Sequence, residues 1–235
     1  MPVPSFQNPA VAAASPAAFA DAQRAFMTRV YAWMFAGLGI TGAVAFYTAT
    51  TEALLVPVMR FFWVLLIAEF GLVLLLSFLA TRLSAALAGA LFVLYAVLSG
   101  LTLSGIFLVY RLGAIGDAFL LTAGVFGALS LFATVTKRDL SGWGTFLFIG
   151  LLGVVVAGFV NLFLRSDTLD FVWSCACVVV FAGLTAYDTQ KLRTYFAAAW
   201  AGGGTGSIAI VGALTLYLDF INLFLAILRL LGKRR

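Results

Sequence analysis

Two carboxylates interrupt stretches of chain that are otherwise apolar and long enough to cross a bilayer: Asp188 in FAGLTAYDTQ and Asp219 in ALTLYLDFINLF. A carboxylate near the middle of a spanning helix disfavours insertion by roughly 2.5 to 3.5 kcal/mol. Two of them therefore need a shared proton, a cation or a basic partner, and each of these remedies makes the site respond to pH or to ions. Facing carboxylates in a low-dielectric site do not easily both ionise, so the pair reads as a proton-sensitive latch. It would be a poor calcium store, because tight Ca²⁺ sites gather roughly six to eight oxygens. Weak, transient metal occupancy at Asp188 and Asp219, as on a conduction path, suits it better.

The elements around the pair must bring it together. With the inner boundary of the sixth span near Lys191 or Arg193, Asp188 lies roughly 5–8 Å inside the membrane and Asp219 about 12 Å from the same side. Helix tilt and side-chain reach cover that offset. Taken alone, Asp188 also reads as a span-end carboxylate paired with Lys191, three residues on. Thr215, Asp219 and Asn222 fall at i, i+4 and i+7, giving the last helix one polar stripe that must face the bundle interior. That helix is expected to be central. Glu69, midway along the second span, either lines the same cavity or is a protonated acid hydrogen-bonded to a neighbouring helix. Arg82, at the inner end of that span, either snorkels to the surface or pairs with the aspartates as a latch.

Composition sets the class. The chain is 64% hydrophobic and 10% charged, far from the make-up of a soluble domain. Seven apolar segments, roughly 27–49, 56–80, 84–110, 114–136, 143–164, 170–190 and 208–231, each approach the ~20 residues a spanning helix needs. The fold expected is an all-α integral membrane protein of seven transmembrane helices. A β-barrel is excluded, because stretches such as 61–80 are apolar on every face. The absence of histidine removes imidazole metal sites and His-based catalysis. Cys175 and Cys177 point to different faces of one helix and read as reduced, small hydrophobes. The net charge of +5 is spread over span ends and a terminal cluster, Lys233, Arg234 and Arg235, a topology signal and not a nucleic-acid surface.

Residues 1–24 read as a flexible tail carrying a short interfacial helix that opens at Ser15-Pro16 and runs into the first span, and 25–235 as the transmembrane domain. Connections are short apart from an AGGGTG loop before the last span. With the N-terminus inside, the inner connections hold Arg24, Arg29, Arg82, Lys137, Arg138, Lys191 and Arg193, against Arg60, Arg111 and Arg165 outside. The expected location is a bacterial inner membrane with a cytoplasmic N-terminus. Arg229 and the terminal cluster oppose this count unless the last segment is re-entrant, and full crossing is preferred because 208–231 is long enough.

GLTAYDTQKL and the closing LTLYLDFINLFLAILRLLG resemble the C-terminal signature of the Bax inhibitor-1 family. VYAWMFAGLGIT and TKRDLSGWG resemble its bacterial branch, and the likeness covers nearly all of the chain beyond the tail. The resemblance implies a central C-terminal helix ringed by the other six, and a pH-sensitive Ca²⁺ leak whose paired-aspartate sensor is Asp188 and Asp219. It matches the family's acidic residue of the second span to Glu69. The family's latch arginine lies in a short basic cluster, of which this sequence keeps Arg82, displaced by about half a turn.

The leading expectation is a cation leak channel gated by protonation of the pair, with the lipid bilayer, Ca²⁺ and H⁺ as its partners, no cofactor and no enzymatic chemistry. The competing reading, also implied by the bacterial branch, is a regulator of a membrane-bound AAA-type protease, which could grip the N-terminal tail. Intramembrane aspartyl proteolysis has its two aspartates here, but lacks the Gly-rich surroundings expected at the second: Asp219 is flanked by Leu218 and Phe220.

Overall fold

The computed structural model describes residues 15–79, 82–202 and 206–232, all helix and short turn. The N-terminal tail up to residue 14, the GGT of the Gly-rich loop and the Lys233–Arg235 cluster lie outside them. Nine α-helices are described: α1 (Pro16–Thr50), α2 (Glu52–Arg60), α3 (Phe62–Phe78), α4 (Ala85–Leu103), α5 (Ile106–Val109), α6 (Leu112–Val135), α7 (Gly144–Leu164), α8 (Asp167–Gly202) and α9 (Gly206–Leu231).

Six stretches are long and apolar enough to cross a membrane: α1, α4 with α5, α6, α7 with the turn before it, α8 and α9. The α2–α3 pair supplies a seventh if its 75° bend is counted as one broken span. The expected second span over 56–80 is thus not one helix: the chain turns at Phe61 (φ −100°, ψ 17°), and α3, its longer piece, has 17 residues or about 26 Å.

α1 opens as expected, with the Ser15 side chain accepting from the Ala18 N–H at 3.2 Å and Pro16 in its first turn, and runs on into the first span as expected, unbroken to Thr50. Residues 16–24 are thus the first turns of the first spanning helix. Past the expected end of the sixth span at residue 190, α8 continues as helix to Gly202, 36 residues or about 54 Å in all. The overhangs of α1 and α8 pack together: Phe19 and Phe26 sit 5.5 and 5.2 Å from Phe196, ring centre to ring centre, and Trp200 stacks beside them.

α9 is the most buried helix and packs directly on α1, α4, α6 and α8. α3 packs on α4 and α7 on α8, so the ring around the central helix has an inner layer and an outer one. Small residues allow the close approaches. A Cβ on Gly100 would lie 2.8 Å from the Thr41 carbonyl oxygen, and one on Gly212 2.6 Å from Leu192 Cδ2.

Candidate functional site

α8 and α9 run antiparallel. Leu192 fits against Gly212 near one face of the bundle, and at the other Arg229 Nη1 lies 3.9 Å from Asp170 Oδ1 and its guanidinium 4.4 Å over the Trp173 ring. Arg229 thus stands at the start of α8, at the opposite end of the bundle from Lys191, and α9 is one unbroken helix long enough to cross a membrane. This register sets Asp219 and Asp188 about one helical turn apart along the axis. Their carboxyls interact electrostatically.

Asp219 is 5% exposed, and its Oδ2 has no hydrogen-bond partner among the described residues. Asp188 is half-buried, with Lys191 as its nearest opposing charge. Lys191 is shared: its Nζ lies 5.3 Å from the centre of the Tyr187 ring and 5.5 Å from that of Tyr195. The polar stripe of α9 faces α8, but only its middle member is left open. Thr215 Oγ1 donates to Val211 O at 3.1 Å and Asn222 Nδ2 to Leu218 O at 2.8 Å, each bonding its own helix. Asn222 lines a small cleft with Trp173, Cys177 and Arg229, away from Asp188. Thr215 lines a larger cavity of about 460 Å³ between α3, α8 and α9, with Ser77, Leu192 and Tyr195.

Glu69 is buried on a separate polar cluster. Its Oε1 accepts from Thr102 Oγ1 at 2.7 Å, a contact to a neighbouring helix, the second of the two surroundings weighed for it. Beyond Thr102, Ser99 interacts with Tyr95 and Tyr217, and the Tyr217 hydroxyl is 2.7 Å from Thr41 Oγ1, which lies 2.9 Å from Ala96 O. Arg82 is exposed in the turn between α3 and α4, the snorkelling position, and forms no ion pair with either aspartate among the described residues. The structure thus brings Asp188 and Asp219 together, and holds Glu69, Asn222 and Arg82 in other surroundings.

Residues beside Asp188 carry contacts that the motif alone did not reveal. Gln190 Oε1 accepts from Leu140 N at 2.7 Å while its Nε2 donates to Arg138 O at 2.9 Å, pinning the α6–α7 connection to α8. Arg193 Nη1 donates to Thr134 O at 2.7 Å and Nη2 to Gln23 Oε1 at 3.2 Å, joining α6, α8 and α1. One turn further into the membrane from Thr134 and Arg193 lie Ser130 and Thr189, whose buried hydroxyls, like Asp219 Oδ2, lack partners among the described residues. Cys175 and Cys177 are free thiols, the first half-buried and the second buried.

The profile of the family described as "Inhibitor of apoptosis-promoting Bax1" matches residues 23–235. The chain belongs to the Bax inhibitor-1 family. The inner membrane protein YbhL of Escherichia coli K12 is 47% identical, with 89% of this chain and 92% of YbhL covered. A protein of Deinococcus radiodurans is also 47% identical, over 91% and 93% of the two chains. A Streptococcus pyogenes membrane protein is 36% identical over 88% and 92%. As a Bax inhibitor-1 family member the chain is a multi-pass membrane protein, and the central α9 with its buried Asp219 is the feature around which the bundle is built.

Proposed function

We propose that the protein is a pH-sensitive cation leak pathway, with Ca²⁺ as cargo, gated by protonation of Asp188 and Asp219. The observation that carries this reading is the buried Oδ2 of Asp219 on the central helix, partnerless among the described residues, with Asp188 as its electrostatic neighbour. One proton shared by the pair lets α8 and α9 lie together without two facing charges. Losing it sets up a repulsion that helix movement or an entering cation relieves. The cavity beside Thr215 and Leu192 reaches the adjacent turns of both helices and offers room for such a cation and its water.

The loop charges support a cytoplasmic N-terminus, and the likeness to YbhL supports a bacterial inner membrane. Labelling of single cysteines from either side of intact membranes checks the orientation.

The function is tested by Ca²⁺ entry into proteoliposomes from acidic to alkaline pH, for the wild type, Asp188→Asn, Asp219→Asn and the double variant, with folding checked independently. Each single variant is expected to lose most of the pH response, and the double to be little worse than either. Additive effects, or a response that survives in both single variants, overturn the paired sensor. Deleting residues 1–14 separates the competing protease-regulator reading, since it leaves ion flux unchanged if the protein is a leak pathway.

A further inference from the structure

The α6–α7 connection carries a second site. A cavity of about 330 Å³ opens where α6 ends and α7 begins, walled by Phe132, Leu147 and Ala186 and rimmed by Arg138, Asp139 and Trp143. Trp143 is 58% exposed at a helix end, the position of an interfacial tryptophan. The cavity reaches Gly183, seven residues from Gln190 and so about 10 Å below the level at which Gln190 holds the connection. It is therefore an apolar slot descending from the headgroup layer into the hydrocarbon.

Its mouth is cationic. Lys137 and Arg138 are exposed, and Lys191 stands over the ring of Tyr187, which lines the cavity. The one acid at the rim, Asp139, is turned onto its own chain, where Oδ1 accepts from Ser141 N at 2.9 Å. Arg138 is held in place through its backbone, whose carbonyl accepts from Gln190. A cationic mouth at the headgroup level above an apolar slot matches one chemistry, a molecule with an anionic head and an acyl tail. We infer that this cavity binds an anionic phospholipid, its phosphate beside Arg138 and Lys137 and one acyl chain in the slot between α6, α7 and α8.

The test is native mass spectrometry of the delipidated full chain titrated with phosphatidylglycerol or with phosphatidylcholine of the same acyl composition. Phosphatidylglycerol is expected to bind more tightly than phosphatidylcholine, with inorganic phosphate failing to compete because it has no tail. Lys137→Gln and Arg138→Gln should each weaken phosphatidylglycerol binding about fivefold and leave phosphatidylcholine unchanged. Ala186→Phe, which fills the slot, should abolish the preference. Equal binding of the two lipids makes the slot merely apolar and overturns the inference, as does competition by phosphate, which makes the mouth a free-anion site. The wild-type comparison and the phosphate competition decide the matter even where a variant fails to fold.

Discussion

Replacing Gln190 by Leu tests whether its carboxamide holds the α6–α7 connection. The substitution keeps comparable bulk but removes the acceptor for Leu140 N and the donor to Arg138 O, at 2.7 and 2.9 Å. The first bond is partly buried, so its loss strands a backbone N–H and costs about 1 kcal/mol or somewhat more. The second is exposed and worth about 0.5 kcal/mol. Together they predict a fall of about 1.5–2 kcal/mol in unfolding free energy, read from reversible denaturation in micelles. The same loss has a local signature. With the first bond gone, amide exchange at Leu140 should accelerate about fivefold or more, while amides in the middle of α9 change only with global stability. An unfolding free energy within about 0.5 kcal/mol of wild type, with Leu140 protection unchanged, would refute the clamp.

Two further outcomes follow from the packing and the charges. Gly100→Ala brings a Cβ to 2.8 Å from the Thr41 carbonyl oxygen and 2.7 Å from Val44 Cβ, so α1 and α4 must separate, at a cost of about 1–3 kcal/mol. Gly39→Ala meets nothing within 4 Å and should be neutral or stabilising by up to about 1 kcal/mol; the same denaturation experiment gives the order, and a reversed order contradicts the close approach. The Asp139 carboxyl is held below the usual carboxylate range by the Ser141 N–H and hydroxyl. Its folded-state value is depressed, so its contribution is present above the ordinary value and lost as pH falls through the lower one. Asp139→Asn should be less stable at neutral pH and lack that part of the acid-range loss, which unfolding followed against pH will show.

Much of the architecture was legible because lipid is a severe solvent: an apolar run of spanning length has few alternatives, and an aspartate within one must be accommodated. The Ser15-Pro16 start was readable for the same local reason, a cap followed by a residue that suits the first turn. The bend at Phe61 was not, because hydropathy over 56–80 is high on both sides of it and records no direction. The end of α8 was not legible either, because polarity returns at Lys191, where the span stops, whereas the helix goes on. Its extension is rich in alanine, a strong helix former, and is held by rings from α1 more than 170 residues away. Depth and spacing pointed to Asp188 and Asp219. Gln190 left no such mark, since its partners are backbone groups about 50 residues distant and any backbone could have supplied them.

The central position of α9 has a consequence for how the protein is made. Among the described helices, the one that fills the ring comes after all the others in chain order. Until Gly206–Leu231 has been synthesised, the inner faces of α1, α4, α6 and α8 have nothing to close on, and the Thr41 hydroxyl has no tyrosine to meet. A nascent chain that stops short, or whose last helix fails to insert, is an open ring with polar groups exposed inside the bilayer, the kind of species that quality-control proteases remove. The bundle therefore closes only once α9 is in place, and that same step sets Asp219 beside α8.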